Sequence, residues 1–480
     1  MSLSESLLSP AAPKEGVPRV VTPPYVSPVR PKRVESLHLL WATINLVATT
    51  IGAGILSVPI SFAYCGSYAL AILLLFAFGV LSAASLRFIA EASDCMAAPS
   101  YFALGEACFG ASGASAVLWS LLGLLGGAFV QILIVIIDLT EMLIAKWSAD
   151  GCAPARPVVA FGIAILSVPL CLPTEILELR FISSASVVCI LFTCACIVAA
   201  AADYAAPQDG RGDEPLLLLP AETGPQWPLA LPIYSLAYCS QFQIIDVAKS
   251  LPPTHRRAQL SSIVTLAIGL ACGLYALVGA VCYSMLGART LQYPNVLTAF
   301  GDNALVLAGS SSIAIVNYLK LPLVLLPLRS LLLERLGVDP PPSGWRHVAL
   351  TFGMVGVLAS AAVLAGSLAL AFQLAGSTAG VSVCFILPGL LYARALRCQS
   401  EGTTPVLGDG GLPIARGGAA AAAAEAAAGS GGGGGGGGDR MACAASLMPR
   451  SRDEGAGVAM ALAGLATGLA CLWVLLVQFE

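Results

Sequence analysis

Residues 45–59 read Asn45-Leu46-Val47-Ala48-Thr49-Thr50-Ile51-Gly52-Ala53-Gly54-Ile55-Leu56-Ser57-Val58-Pro59, in the middle of an apolar stretch from Leu39 to Tyr64. A stretch of that length would make one membrane helix, but two glycines and a proline interrupt it. Hydrocarbon offers no water to unpaired backbone groups, so irregular backbone at membrane depth persists only where it lines a cavity or is buried in protein. Transporters use such breaks to present helix ends and bare carbonyls to a solute. The stretch therefore predicts a broken membrane helix beside a binding site.

Composition supports a membrane setting for the whole chain. Of 480 residues 57% are hydrophobic and 11% charged, against roughly 25% charged in soluble proteins. Apolar runs of about 20 residues recur along most of it, placing about eleven spans: Leu39–Tyr64, Tyr68–Ala92, Ala116–Ile144, Val158–Leu172, Phe181–Ala202, Trp227–Ile245, Leu260–Leu286, Ala304–Leu333, Val348–Leu368, Ala369–Leu391 and Val458–Val477. The split between the ninth and tenth, at Gly366-Ser367, carries the weakest sequence signal. Four regions follow: a Pro-rich polar tail over 1–37 expected to be disordered, a core over 38–397, an Ala/Gly-rich linker over 398–455 and a last helix over 456–480.

Basic residues set the expected orientation. With a cytoplasmic N-terminus, about nineteen Lys and Arg, among them Lys32, Arg33, Lys249, Arg256, Arg257, Arg329, Arg335 and Arg346, fall inside, and Lys146, Arg156, Arg211 and Arg289 fall outside. No short apolar core with a cleavage site precedes the first span, which is expected to act as its own insertion signal.

Other chemistries find little support. The fifteen cysteines scatter mostly through the spans without metal-site spacing, where they act as small buried hydrophobes, and of those on the outer face Cys65 and Cys152 are the two that could pair. His38, His255 and His347 all fall at cytoplasmic span ends, and no nucleophile elbow or paired-histidine zinc motif appears in a fitting context. The glycine run Gly431–Gly438 lacks the ending of a phosphate loop. The sequence thus reads as no enzyme, with no cofactor, no metal and no nucleic-acid partner; its partners are a small solute and the bilayer, and its oligomeric state is left open.

Six motifs in order then resemble the amino acid/auxin permease family, which includes the sodium-coupled neutral amino acid transporters: Asn45-Leu46 through Pro59; Tyr101, Leu104-Gly105-Glu106 and Phe109-Gly110; Asp138; Pro232-Ile233-Tyr234 with Ala237-Tyr238; Pro322 through Pro327-Leu328-Arg329; and Gly376-Ser377-Thr378 through Leu387-Pro388-Gly389 with Tyr392. The resemblance implies an all-α polytopic bundle like that of the bacterial leucine transporter: two inverted five-helix repeats plus one extra helix, with the first and sixth spans broken. Half-helix N-termini carry partial positive charge suited to an amino acid carboxylate, and freed carbonyls suit its ammonium or a coupling cation. The expected substrate residues are Thr49, Thr50, Ile51, Gly52, Ala53 and Gly54 on the first span and Ser235, Tyr238, Ser240 and Gln241 on the sixth. The bland alternative is that Gly52 and Gly54 serve only helix packing.

Departures from the family pattern bear on coupling. Sodium-using members carry a second asparagine where this chain has Ala48, and small or hydroxylated residues where it has Asn317-Tyr318-Leu319-Lys320. A mid-span ammonium is expensive, and one reading gives Lys320 the volume of a sodium ion, making transport sodium-independent. The other lets Lys320 reach the headgroups with Arg329 as companion. Asn45, Lys320, Asp138 and Asp246 are the coupling or gating candidates, Asp138 being equally a solvated end charge and Asp246 with Lys249 a plain helix-end pair. The expectation is an amino acid transporter working by alternating access, as a symporter with protons or down the amino acid gradient rather than with sodium; the alternative is a membrane sensor that binds amino acids without moving them.

Overall fold

The structure, a computed structural model, describes residues 32–52, 54–148, 154–172, 179–204, 226–251, 255–300, 303–338, 344–401, 406–407, 413–414 and 452–478. Of the tail expected to be disordered over 1–37, residues 32–37 are instead the first turns of a helix, and of the linker expected over 398–455, residues 398–400 and 452–455 extend the flanking helices; residues 1–31 and most of the rest of the linker lie outside the described residues. Helices account for nearly all of this, with one two-residue antiparallel ladder, Val406–Leu407 with Pro413–Ile414. Each expected span falls on a helix or a helix pair. Among the described residues six helices are long and apolar enough to cross a membrane, or seven if a bent pair counts as one span, while Arg156–Cys171 and Ser184–Ala200 are shorter apolar helices.

The first span is two helices, α1 (Lys32–Thr50) and α2 (Gly54–Cys65), with a 52° bend at the Ile51-Gly52 break. Ile51 N–H still reaches Val47 O at 2.8 Å, but Gly52 N–H turns to Thr50 O at 3.1 Å, which ends the helical ladder. Gly66, with φ 61°, makes the tight turn into α3 (Tyr68–Cys95), whose first amides are capped by Ser67. In α4 (Tyr101–Trp147) the backbone folds sharply at Gly110, φ 62° and ψ −149°. That turn lays residues 101–109 back against the membrane helix, where Gly105 approaches Gly113 so closely that a Cβ on Gly105 would stand 2.9 Å from the Gly113 carbonyl oxygen. The motif Leu104-Gly105-Glu106 through Gly110 is thus a packing device.

α5 (Arg156–Cys171) and α6 (Leu179–Tyr204) complete the first repeat. The second opens on another broken span: α7 (Ala230–Ala237), an interruption at Tyr238–Ser240, a 3-10 turn over Gln241–Gln243 and α8 (Ile244–Lys249). α9 (Arg256–Leu286), α10 (Ala304–Arg335) and α11 (Trp345–Ala365) follow. The weakly marked boundary after α11 is sharp in structure. Gly366 takes φ 68°, and the Ser367 hydroxyl accepts from Leu370 N–H at 3.2 Å to start α12 (Leu368–Ala375). The tenth span then widens into π-turns over Gly376–Gly380 and Ser382–Ile386 before α13 (Leu387–Ser400), and α14 (Arg452–Gln478) packs against α13.

Burial centres on the two broken spans. α2 lies against α7 and α9, and its Phe62 ring packs on Gly279 and on the Tyr68–Tyr283 pair. The π-turns leave carbonyls without their usual partners, and neighbours take them up: Ser85 donates to Cys384 O, and the Tyr101 hydroxyl to Val383 O at 3.1 Å.

Candidate functional site

Between the breaks lies a cavity of about 1060 Å³. Its wall includes Asn45, Ala48, Thr49, Thr50, Gly52 and Gly54 from the first span, Leu236, Ala237, Cys239, Phe242, Gln243 and Asp246 from the sixth, Gln131 from α4, Ser186 from α6, and Asn317 and Lys320 from α10. Two features close its far side. Gly54 rests on α7 so tightly that a Cβ would stand 3.1 Å from the Ala237 Cα, with Phe372 of α12 alongside. Beyond them the 3-10 segments Gly287–Gln292 and Val296–Phe300 cover α2, and Ser57 donates to Pro294 O at 3.4 Å. At the other end the exposed Asp246, Ser250 and Glu334 line the mouth.

Backbone groups meet at the crossing. The buried hydroxyl of Tyr275, on α9, stands 2.7 Å from Thr50 O and 2.8 Å from Ala237 O, carbonyls freed by the first and second break. One phenol therefore ties the two interruptions together. On the other side of the break the first amides of α2 have no partner within the helix, and they give that end a partial positive charge. The Thr49 hydroxyl lies 2.6 Å from Gln243 Oε1 and 2.9 Å from Asn45 O, joining α1 to the 3-10 turn of the sixth span. Thr50 returns its hydroxyl to Leu46 O at 2.8 Å, the usual way a threonine satisfies itself in an apolar helix.

The expected site residues divide by this geometry. Thr49, Thr50, Gly52, Gly54, Asn45, Asp246 and Lys320 line the cavity; Ala53 lies outside the described residues. Ile51, Ser235, Tyr238, Ser240 and Gln241 do not line it. Gln241 is turned away, its Nε2 donating to Ser82 Oγ at 3.1 Å and its Oε1 accepting from Ser240 N–H at 2.9 Å, so this amide stitches the second break to α3. Ser82 in turn donates to Tyr238 O at 3.0 Å. A 3-10 turn brings Gln243 to the cavity in place of Gln241, a change of face that sequence periodicity does not reveal.

The coupling candidates separate as well. Asp138 is held away from the cavity by Arg156, 2.7 Å from it, which also pairs with Glu141 at 2.9 Å. Asp246 stands 3.8 Å from Lys249, and the Lys249 ammonium also donates to Pro99 O, which matches the helix-end pair. Lys320 is midway along α10, and Arg329 is nine residues on, which places the two on opposite faces of that helix. Arg329 instead reaches Cys171 O at 3.3 Å, His347 Nε2 at 3.2 Å and Thr351 Oγ1 at 3.1 Å. Among the described residues Lys320 has no carboxylate within 4 Å.

Gln131 and Tyr275 are site residues that the sequence reading did not single out. Gln131 is a lone polar group in an apolar run and donates to Ala371 O at 3.4 Å, a signal that was there to be read. Tyr275 looks like any aromatic core residue, and only the crossing of the two breaks gives its hydroxyl a role.

Comparison with known proteins settles the family. The profile described as transmembrane amino acid transporter protein matches residues 37–407. The chain belongs to that family. Its polytopic membrane character follows from membership. Amino acid transporter AVT6E of Arabidopsis thaliana is 26% identical over 385 residues, covering 74% of this chain and 75% of that protein. Solute carrier family 38 member 10 of Mus musculus is 24% identical over 373 residues, covering 74% of this chain, which spans about a third (33%) of that protein's length. Among solved structures, Mhp1, a nucleobase-cation-symport-1 family transporter in a closed conformation, superposes with a TM-score of 0.54 at 15% identity, over 91% of this chain and 92% of that one. That likeness carries the fold: a leucine-transporter-like bundle with two broken spans.

Proposed function

We propose that the chain moves amino acids across its membrane by alternating access, without sodium. The observation that carries this reading is the cavity between the two breaks. It is sealed at one end by Gly54 against Ala237 and open at the other past Asp246 and Ser250. At that end Lys249 stands beside Asp246, and Arg256 and Arg257 begin the next helix, so the positive-inside bias makes the end cytoplasmic and the conformation inward-facing. An amino acid carboxylate is met by the amide end of α2, and its ammonium by carbonyls of the unwound segments.

Three features support the absence of sodium. Ala48 faces the cavity where a side-chain oxygen would help hold a cation. Thr50 O and Ala237 O already have the Tyr275 hydroxyl beside them. The Lys320 ammonium opposes a second positive charge in the same space. Drive then comes from a proton gradient or from the amino acid gradient. The test is uptake of labelled amino acids into proteoliposomes under a sodium gradient, a proton gradient and neither. Uptake indifferent to sodium is expected. A strict sodium requirement overturns the coupling but keeps the transport, and saturable binding with no uptake favours a sensor instead.

A further inference from the structure

Lys320 has company on its wall of the cavity. Asn317, three residues earlier and on the same face of α10, is 3% exposed and its Nδ2 has no hydrogen-bond partner. Ser186 of α6 is 0% exposed, and its Oγ is also without one. Both line the cavity with Lys320. Packing brings the three to one level. The Thr193 hydroxyl donates to Gly309 O at 3.0 Å, fixing α6 against α10. Seven residues back on α6 and eight onward on α10, about 10–12 Å along each helix, stand Ser186 and Asn317. Unpaired buried donors are rare, because each forfeits hydrogen bonds it had in water. Two donors without partners, an amide N–H and a hydroxyl, on residues that line the same cavity as the Lys320 ammonium, which has no carboxylate within 4 Å among the described residues, make a donor set that fits an anion.

We propose that this wall is an anion subsite that selects amino acids whose side chain ends in a carboxylate. The inference rests on the transport reading above and adds the substrate class. The α-carboxylate goes to the amide end of α2, and the side-chain carboxylate to Lys320, Asn317 and Ser186. Asp246 and Glu334, the acidic residues of the cavity lining, do not compete for this wall. Asp246 is 79% exposed beside Lys249, and Glu334 lies fourteen residues along α10 from Lys320, about 21 Å away. Both stand at the watery mouth, where salt screens them.

The test offers purified full-length chain in proteoliposomes two pairs of labelled substrates alike in shape and different in charge, glutamate with glutamine and aspartate with asparagine. The native chain is expected to take up the acid of each pair at least about tenfold faster. Lys320→Arg should keep the preference and Lys320→Met should abolish it. Asn317→Leu should weaken it, which covers the case in which Lys320→Met fails to fold. Equal uptake within each pair, or a preference that Lys320→Met leaves intact, overturns the subsite while leaving transport standing. If none of the four substrates moves, uptake does not report on the subsite, and thermal stabilisation of the purified chain then decides it. A shift with glutamate that glutamine does not give and Lys320→Met lacks supports it. No shift with glutamate, or the same shift with both, overturns it.

Discussion

At the scale of single residues, the two glycines of the first break do different jobs. A Cβ on Gly52 would meet nothing nearer than Thr49 O at 3.9 Å, whereas one on Gly54 would stand 3.1 Å from Ala237 Cα and 3.2 Å from its Cβ. Gly54→Ala should therefore push the two broken spans apart, lowering thermal stability by about 1–3 kcal/mol and cutting uptake. Gly52→Ala should fold normally, so a matched pair of melting curves and uptake rates separates packing from site chemistry. Equal damage from both would show that the close contact at Ala237 is not what matters. Tyr275→Phe makes a second case. Deleting the hydroxyl leaves Ala237 O short of a donor, while Thr50 O keeps the Gly52 N–H at 3.1 Å, at a cost of about 1–3 kcal/mol. It should show as a lower melting temperature together with altered substrate affinity, since those carbonyls belong to the breaks.

At the scale of elements, the tenth span combines irregular pitch with close bracing by the last helix. α14 crosses α13 with glycine on glycine, Gly457 against Gly389, and continues with Gly464 against Phe385 and Ile386 and Gly468 over Ser377 O. Such small-residue contacts let helix backbones approach where lipid supplies no hydrophobic drive. At one end of the crossing Arg397 and Glu454 pair at 3.1 Å with side chains only 8% and 4% exposed. Removing one partner of a buried pair costs about 3–5 kcal/mol. Glu454→Ala should thus destabilise the detergent-purified chain far more than Asp453→Ala, whose residue is exposed one position away. Indistinguishable melting curves for the two variants would rule out the ion pair as a clamp for α14. The sequence showed α14 only as a last apolar span; its glycine face acquires meaning from the groove it fills.

At the scale of the whole molecule, the cavity opens at one end, so access should be one-sided. Among the described cysteines Cys239 is the one that lines it. A membrane-impermeant thiol reagent should modify Cys239 from the cytoplasmic face, and substrate should protect it. A cysteine placed at the exposed mouth, Ser250→Cys, should react from the same face without protection. Mass spectrometry of the two peptides from vesicles of either orientation checks this, and modification of Cys239 from the outer face alone would reverse the assigned orientation. Much of this architecture was legible beforehand. The sequence by itself determined the membrane setting, the places of the spans and the first break, because the bilayer reduces folding to a one-dimensional rule: apolar residues in runs long enough to cross, with glycine and proline where the run fails. It also flagged Lys320, since a charge in such a run is conspicuous. Only the tertiary structure decided which polar groups share a space. The 3-10 turn sends Gln243 rather than Gln241 into the cavity, Arg156 claims Asp138, and α6 packed on α10 puts Ser186 in the same cavity lining as Asn317 and Lys320. Those outcomes depend on the rotation of one helix against another and on local changes of helical pitch, which the order of residues along a single segment does not contain.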